Sequence, residues 1–461
     1  MGVETQTSPS LRPQNMMGHY ERPSRPRRRY TTDAPSSPSK VPAITSIKLP
    51  SVLNDILPPA AKAAETSGTR SRSVSSERLD TALQQTGTPS SDTTIDLREL
   101  GTKGFALNNA VLALLHEMFP DTWNDVTGAD GIEVERVSGA MTNCVFIVSA
   151  KSSASKKVLL RVYGTGVEEF IEREHELVWM SRLSDMSVGP KLLGVFANGR
   201  FEQFLDSAPL SKDSMREPSI SCKIAAELCR FHSLIRVCPP EELSEAPDLF
   251  AKMRSWYRKA NAGLVKLDAK RPEQAERLRA IRLHDFEAEL HVLEDTLRKI
   301  KSPVVFAHND SQYGNILKLT GKDEIVLVDY EYASINFRGY DIGNHFCEWG
   351  ADYHSPTPHL LDFTRYPSKA EQLRFLRAYL ETSHTLHPMS PSSLSFKTDE
   401  EAHLEEMYKE CNKFALCSHA LWGFWGVMQA AQNDVISFDY VGYAVCRLGR
   451  YWDIRDEVFG M

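Results

Sequence analysis

The chain has 461 residues, of which 41% are hydrophobic and 25% are charged, so it can bury the core of one large or two-lobed domain. Its formal net charge is −7, and residues 96–461 contain 42 Lys and Arg against 53 Asp and Glu, an acidic balance that argues against nucleic acid as a main partner. The eight cysteines form no C-x-x-C motif and no apolar run is long enough for a membrane span, so the sequence predicts a cytoplasmic protein with reduced thiols and no export signal.

Residues 1–95 differ in composition from the rest of the chain. They are rich in Ser, Thr, Pro and Arg and poor in aromatic residues. Such a segment cannot bury enough apolar surface to offset the entropy that it loses on ordering. We therefore predict a disordered N-terminal arm over residues 1–95, with order beginning near Asp96. Within the arm, Ile44–Leu57 is more apolar and could dock or fold on binding.

Residues 96–205 carry the patterns of a small mixed lobe. Apolar residues at helical spacing predict a helix over Asn108–Phe119. Short runs rich in β-branched and aromatic residues predict the strands of an antiparallel sheet. These strands are predicted at Ile132–Val137, Val145–Ser149, Val158–Tyr163, Leu192–Phe196 and Phe201–Phe204.

Helical patterns dominate residues 206–461, and one β-hairpin interrupts them. The helices are predicted at Ser219–Leu234, Phe250–Leu264, Pro272–Ile300, Ala370–Thr382 and Glu400–Gln432. A sheet-bearing lobe followed by a mainly helical one is typical of an α+β protein. The patterns therefore predict a two-lobed α+β fold.

The hairpin carries the residues with the clearest chemistry. Two apolar runs, Val304–Ala307 and Ile325–Val328, each end in a cluster of acids and amides that includes Asp310, Asn315 and Asp329. A turn and a return strand after Asn315 would bring Asp329 back beside it. One carboxylate that accepts a proton from a hydroxyl, with an amide and a second carboxylate that hold Mg²⁺, is the set that phosphoryl transfer needs. The hairpin therefore predicts a small-molecule kinase.

Three motifs give this region a family resemblance. The runs H-N-D-x-Q-x-G-N-I-L, V-D-Y-E-Y and Y-D-I-G-N-H-F-C-E-W resemble the choline/ethanolamine kinase family, whose fold is like that of the protein kinases. The similarity extends from about Gly104 to the C-terminus. It implies a catalytic base at Asp310, with Gln312 beside the transferred phosphate. It also implies that Asn315 and Asp329 bind Mg²⁺ and that ATP is the phosphate donor.

The same resemblance assigns the nucleotide site. Taken alone, the loop from Ser138 to Asn143 reads as an ordinary hairpin turn, but its position matches the phosphate-binding loop of the family. The family's cationic phosphate ligand corresponds to Arg161. Glu176 on the next helix is expected to pair with it, although Glu172 and Glu174 compete for that role. In full, the implied nucleotide-binding residues are Ser138, Gly139, Thr142, Asn143, Arg161, Glu176, Gln203 and Phe204.

Aromatic residues are expected to bind the amine. A quaternary ammonium has no N–H to donate and is held by ring faces and carboxylates. Trp422 and Trp425 share one helix face, which a plain core packing also explains, and Gly423 and Gly426 would leave space beside the rings. The family resemblance adds Glu348 as the counter-charge, together with the aromatic positions Tyr332, Tyr353, Tyr440 and Tyr443.

Together these observations predict an ATP:choline phosphotransferase that forms phosphocholine, the entry step of phosphatidylcholine synthesis from free choline. The predicted domains are an arm at 1–95, a kinase-like N-lobe at 96–205 and a C-lobe with the amine pocket at 206–461. Family members are often dimeric, so a homodimer is one expected assembly. Two classes of alternative stay open at this point. The first is a related kinase, which would act on ethanolamine, on both amines, or on an aminoglycoside or another amino alcohol. The second is a catalytically inactive kinase-like scaffold.

Overall fold

The secondary structure was read from a computed structural model of the chain. It describes residues 71–137, 143–153, 155–163, 173–238, 243, 249–386, 400–432 and 438–460. The helices in this part of the chain are α1 Ser71–Thr86, α2 Leu97–Leu100, α3 Phe105–Met118, α4 Pro120–Trp123, α5 Arg173–Asp185, α6 Pro218–Ser233, α7 Leu249–Lys270, α8 Pro272–Ala280, α9 Phe286–Leu297, α10 Arg338–Glu348, α11 Lys369–Leu386, α12 Glu400–Gln432 and α13 Tyr440–Gly460. The strands are β1 Ser90–Ser91, β2 Ile132–Val137, β3 Asn143–Ala150, β4 Lys157–Tyr163, β5 Leu192–Phe196, β6 Gly199–Gln203, β7 Ser207–Pro209, β8 Val304–Ala307, β9 Ile316–Leu319, β10 Ile325–Leu327 and β11 Ser334–Phe337.

The N-lobe is built on a sheet with the order β1-β5-β6-β4-β3-β2 among the described strands. All neighbours in it are antiparallel except β1 and β5. In β4, Val158, Leu160 and Val162 are buried in the apolar core of the lobe. Because side chains alternate along a strand, Arg161 projects from the opposite face. This alternation places Arg161 on the side of the sheet that faces the site described below.

Two small sheets of the C-lobe hold the segment that contains Asp310. Strand β8 pairs with β11, and β9 pairs with both β10 and β7, all antiparallel. In the β9–β10 pair, Leu327 lies opposite Ile316, and the N–H of Val328 donates to the carbonyl of Asn315 at 2.9 Å. The predicted return strand is thus confirmed.

Helices form the rest of the C-lobe. Helix α10 crosses α12 closely, since a Cβ on Gly343 would lie 2.5 Å from the carbonyl oxygen of Cys411. The long helix predicted over Pro272–Ile300 is wrong as a single element. It is two helices, α8 and α9, because the chain turns at Arg282, which has a left-handed backbone with a φ of +60°. Within the described residues, no helix combines the length and the apolar character needed to cross a membrane.

The N-terminal arm predicted over residues 1–95 needs a correction at its C-terminal end. Helix α1 and strand β1 both lie before Asp96, where order was expected to begin. In α1, Leu79, Ala82 and Leu83 follow helical spacing, and Leu83 belongs to the same apolar cluster as buried residues of α5. The low apolar content averaged over the whole arm concealed this short stripe. Residues 1–70 lie outside the described part of the chain, as does the Ile44–Leu57 patch.

The contact between α1 and α5 is also polar. The hydroxyl of Thr86 lies 3.0 Å from that of Ser181, which donates in turn to the carbonyl of Ala82 at 3.3 Å. Strand β1 then pairs in parallel with β5, matching Ser90 with Val195. Helix α1 and strand β1 are therefore part of the folded N-lobe.

We expect Leu83→Ala to lower the free energy of unfolding by about 2–3 kcal/mol, because it removes buried methyl groups from the contact between α1 and α5. Leu83 is only 6% exposed. Denaturant unfolding of the full chain measures the loss. The exposed Gln85 on the same helix provides the control, since Gln85→Ala should leave stability within about 0.5 kcal/mol. Equal stabilities for the two variants would contradict the packing of α1 on the body.

Candidate active site

The loop between β8 and β9 is held by a buried carboxylate, that of Asp341 in the first turn of α10. Its Oδ2 accepts the N–H of His308 at 2.8 Å, and its Oδ1 accepts the N–H of Asn309 at 2.7 Å. His232 Nε2 lies 2.8 Å from Oδ2. Burial alone would raise the pKa of Asp341, but its hydrogen bond to His232 and the charges of His232 and His308 hold that pKa below its usual range. The ionised carboxylate therefore fixes the loop.

Asn309 adopts a left-handed backbone with a φ of +65°, which Asn tolerates better than most residues. Its side chain offsets the strain with three hydrogen bonds. It donates to the carbonyl of Tyr332 at 2.8 Å and to the hydroxyl of Ser334 at 2.9 Å, and it accepts from Asn336 at 2.8 Å. This turn directs the next residue, Asp310, toward a cavity that is described below.

Asp310 is oriented by Asn315. The Asn315 amide donates to Asp310 Oδ2 at 2.9 Å and to the Asp310 carbonyl at 3.0 Å. Burial raises the pKa of Asp310 well above its ordinary value, and the negative charges of Glu348, Glu331 and Asp329 raise it further. The raised pKa makes this carboxylate a stronger proton acceptor than an ordinary aspartate whenever it is ionised.

Gln312 lies in the same loop and also lines the cavity beside Asp310. Its Oε1 accepts the N–H of Gly314 at 2.8 Å, and its Nε2 donates to Asn315 Oδ1 at 3.3 Å. The side chain therefore closes the turn and helps to orient Asn315. A contact with the transferred phosphate stays a prediction.

Asp329 follows β10 and lies beside Asn315 through the β9–β10 pairing. Its φ is +69°, another left-handed residue at the site. The Oδ1 atom is buried without a hydrogen-bond partner, while Oδ2 lies 3.8 Å from Arg161 Nη1. An unpartnered buried carboxylate oxygen next to an amide oxygen fits a hard cation such as Mg²⁺. No cluster of three or more His, Cys, Asp or Glu side chains suited to a metal occurs among the described residues.

The basic residue Arg161 lies in a chain of charges on the N-lobe sheet. Its Nε donates to Glu202 Oε1 at 3.3 Å, and Glu202 Oε1 also accepts from Arg200 Nε at 2.7 Å. Glu176 instead pairs with Arg200, whose Nη1 lies 2.8 Å from Glu176 Oε1. The prediction that Glu176 pairs directly with Arg161 is corrected to an indirect link. The reason is that Arg200 and Glu202, two apart on β6, share the sheet face where the direct pair was expected.

The remaining nucleotide-site predictions are placed unequally. The N–H of Gln203 donates to the carbonyl of Lys191 at 2.8 Å, so it is not free for adenine, while Phe204 follows it between the lobes with its ring 5.3 Å from Lys157 Nζ. Ser138, Gly139 and Thr142 lie outside the described residues. Asn143 begins β3 and pairs with Tyr163 through its backbone, but its side chain is also outside the description.

A cavity of about 440 Å³ lies beside Asp310. The structure brings together here every residue predicted to bind the amine, and it adds Phe438 and Glu331. The lining residues are Asp310, Gln312, Glu331, Tyr332, Glu348, Tyr353, Trp422, Trp425, Phe438, Tyr440 and Tyr443. Phe438 precedes α13 in a segment with no periodic pattern, so the sequence offered no signal for it.

The aromatic rings around the cavity meet edge to face. Ring centroids lie 5.2 Å apart for Tyr332 and Trp422, 5.7 Å for Trp422 and Trp425, and 6.0 Å for Trp425 and Tyr443. The interplanar angles of these pairs are 74°, 72° and 80°. Perpendicular neighbours turn the faces of their rings in several directions, as an enclosed cation requires.

Glu348 is paired within the protein. Its Oε1 accepts from Arg447 Nη2 at 2.6 Å, and its Oε2 accepts the hydroxyl of Tyr353 at 2.7 Å. The predicted counter-charge is therefore already paired with a buried guanidinium, and the carboxylates of Asp310 and Glu331 also line the cavity. Sequence reasoning missed Arg447, which is remote from Glu348 along the chain and belongs to no recognisable motif.

Asn344 connects the cavity to the loop between β8 and β9. Its Nδ2 donates to the carbonyl of Asn309 at 3.1 Å, and its Oδ1 accepts from Trp422 Nε1 at 2.9 Å and from the hydroxyl of Ser418 at 2.7 Å. All of these groups are buried. The orientation of the Trp422 indole and the position of the loop thus depend on one side chain, which sequence reasoning did not single out.

The glycines beside the tryptophans have a different role from the predicted one. A Cβ on Gly423 would lie 2.5 Å from Leu448, and one on Gly426 would lie 3.0 Å from the carbonyl of Tyr440. They allow α12 and α13 to pack closely rather than leaving space beside the rings. Close packing of α13 is what brings Tyr440 and Tyr443 to the cavity.

Comparisons with known proteins agree with this geometry. The family model described as Choline/ethanolamine kinase matches residues 134–452. The chain is 37% identical over 333 residues to probable choline kinase 2 of Arabidopsis thaliana, covering 72% of this chain and 87% of that protein. It is 33% identical over 389 residues to choline/ethanolamine kinase of Homo sapiens, covering 82% and 93%. The solved structure of choline kinase from Cryptosporidium parvum is similar with a TM-score of 0.62 at 26% identity, covering 76% of this chain and 96% of that one, which confirms the predicted kinase-like fold. The chain belongs to the choline/ethanolamine kinase family.

Proposed function

We propose that the protein transfers the γ-phosphate of ATP to the hydroxyl of choline and so forms phosphocholine, a precursor of phosphatidylcholine. The observation that carries this proposal is the cavity of aromatic ring faces that opens on Asp310. Choline has a hydroxyl to be phosphorylated at one end and a trimethylammonium group that donates no hydrogen bond at the other. Ring faces suit the ammonium end and a proton-accepting carboxylate suits the hydroxyl end.

In this mechanism Asp310 accepts the proton of the choline hydroxyl as oxygen attacks phosphorus. The Asn315 amide, which donates to Asp310 Oδ2, keeps the other carboxylate oxygen directed at the substrate. Trp425, Tyr440 and Tyr443 hold the ammonium group so that the hydroxyl stays at the base. Much of the rate enhancement then comes from positioning, as is general for phosphoryl transfer.

Asn315 and Asp329 would hold Mg²⁺, with the unpartnered Oδ1 of Asp329 as a ligand. When bound, the ion supplies positive charge that offsets the phosphates and polarises the transferred group. Arg161 Nη1 lies 3.8 Å from Asp329 Oδ2, so its guanidinium would bind a phosphate oxygen from the N-lobe side of the metal site. The loop containing Ser138, Gly139 and Thr142 would cover the phosphates.

Ethanolamine is the second candidate substrate. Glu331 and Glu348 line the cavity and attract any ammonium ion, whether or not it carries N–H donors. A relative with 33% identity bears the name choline/ethanolamine kinase. The same catalytic groups would serve both alcohols, so the amine end of the cavity decides the preference.

The test is ATP consumption by the purified protein with choline, dimethylethanolamine and ethanolamine. We expect kcat/KM to fall in that order, because each lost methyl group removes contact with the rings and adds an N–H donor that needs an acceptor. Phosphorylation of none of the three would refute the proposal, and equal values would make the enzyme dual in specificity.

Trp425→Leu should raise the choline KM by roughly tenfold or more, since a desolvated cation–π contact is worth on the order of 2 kcal/mol. The ATP KM should not change. Trp425 is a cleaner test than Trp422, whose indole also bonds to Asn344. Trp452→Leu is the matched control, because Trp452 on α13 packs against an apolar cluster of the C-lobe and does not line the cavity, so its loss should affect stability alone. An unchanged choline KM in Trp425→Leu would remove the main support for the proposal.

Asp329→Ala should reduce turnover by at least about 100-fold, and extra Mg²⁺ should rescue it only in part, because the remaining ligand Asn315 is neutral. Chelation by EDTA should stop the wild-type reaction. Titration with Mn²⁺ in the presence of ATP, followed by electron paramagnetic resonance, measures ion binding directly. Asp323→Ala serves as the control, since Asp323 is an exposed acid paired with Lys223. Full activity in EDTA would contradict the Mg²⁺ assignment.

Glu331→Gln should shift the acidic limb of the pH profile to lower pH by roughly 0.5–1 unit. The pKa of Asp310 is raised by burial and by nearby negative charges including Glu331, so removing that charge lowers the pKa. Because the base acts when ionised, kcat/KM for choline rises with pH through this pKa. The control Glu324→Gln alters an exposed acid and should leave the limb in place. A limb that stays, or that moves to higher pH in Glu331→Gln, would argue against Asp310 as the base.

A further inference from the structure

Both oxygens of the Glu348 carboxylate are engaged by the protein. Arg447 Nη2 donates to Oε1 at 2.6 Å and the Tyr353 hydroxyl donates to Oε2 at 2.7 Å. The side chain of Glu348 is 3% exposed and that of Arg447 is fully buried. In so dry a setting these bonds are short, charge-assisted and costly to exchange for others.

Arg447 is itself fixed by the wall of the cavity. Its Nε donates to the Tyr443 hydroxyl at 3.1 Å, and its guanidinium carbon lies 5.4 Å from the centre of the Tyr443 ring. It reaches Glu348 from α13, whereas Tyr353 reaches it from the segment after α10. The two donors therefore approach the carboxylate from different elements and limit its rotation.

We propose that Arg447 and Tyr353 determine amine specificity by occupying Glu348, so that the cavity favours a quaternary ammonium over a primary one. This inference rests on the proposed function and concerns the amine end of the same site. Arg447 acts through Glu348 and is a positioning residue, while Tyr353 also presents its ring to the cavity.

The physical basis is the different needs of the two ions. A primary ammonium has three N–H donors, and each one loses water on entering the cavity. Ring faces are poor replacements for water, and Glu348 already accepts from two protein donors, so some N–H groups of ethanolamine stay poorly satisfied. The trimethylammonium group of choline has no donors and incurs no such cost. Glu348 also forms a neutral pair with Arg447, which weakens its electrostatic attraction for the ammonium group of ethanolamine. The contacts between the aromatic rings and the methyl groups of choline do not depend on that charge.

The test compares choline and ethanolamine kcat/KM in variants that release Glu348. Tyr353→Phe keeps the ring and removes the hydroxyl donor, so it should raise the ethanolamine-to-choline ratio by about fivefold to tenfold. Arg447→Met should raise the ratio further, because it frees the other oxygen and uncovers the charge. Tyr451→Phe is the matched control, since it removes a hydroxyl that donates to another buried carboxylate, Glu289 Oε1 at 2.7 Å, outside the cavity, and its ratio should match the wild type.

The results for these variants test the specificity inference separately from the proposed function. Arg447→Met leaves a buried charge unpaired and can fail to fold, in which case Tyr353→Phe alone decides. A ratio in Tyr353→Phe that equals that of Tyr451→Phe, or that moves toward choline, overturns the inference while the proposed function stands. A wild-type protein that phosphorylates neither amine overturns the proposed function itself.

Discussion

The carboxylate of Asp341 is the interaction on which the active site depends. It is fully buried, and a buried carboxylate is tolerated only when donors surround it. Here the donors are His232 and the backbone N–H groups of His308 and Asn309. Because those two amides begin the loop that carries Asp310 and Asn315, the same bonds that compensate the buried charge also set the position of Asp310. Removing the carboxylate would therefore release the loop.

Asp341 is one of several polar residues on a single face of α10. Asn344, His345 and Glu348 follow it at the i+3, i+4 and i+7 positions. Asn344 binds the Asn309 carbonyl and the Trp422 indole, and His345 Nδ1 lies 2.8 Å from the carbonyl of Ser311. Burial lowers the pKa of His345 to about 4, so this histidine stays neutral. One face of α10 thus sets the positions of Asp310, Trp422 and Glu348 relative to one another.

The parts of the site that the sequence predicted are those carried by local motifs. Asp310, Asn315 and Asp329 occur near strand ends at fixed spacing, and the β9–β10 pairing follows from the same run of residues. Asp341 and Arg447 were missed because their partners are distant along the chain and nothing in a single sequence links them. Arg161 was given the wrong partner because Arg200, which stands between it and Glu176, is visible only once the strand order is known. Helix α1 was missed because its stripe of apolar residues is short and lies in a segment of low apolar content.

The negative charges at the site favour ligands that are cations or that carry a bound cation. Asp310, Glu331 and Glu348 line one cavity, and the nearby charge of Asp329 also raises the pKa of Asp310. The guanidiniums close to the site are already shared: Arg161 with Glu202 and Arg447 with Glu348. Burial, followed by the charges of Glu348, Glu331 and Asp329, raises the pKa of Asp310, and the Oδ1 atom of Asp329 is buried without a hydrogen-bond partner. A metal–nucleotide complex beside Asp329 and an ammonium ion between the rings would each reduce the repulsion, and either one lowers the pKa of the base for the other. Under the proposed function, binding of the two substrates would therefore favour the ionised form of Asp310, which is the form that accepts the hydroxyl proton.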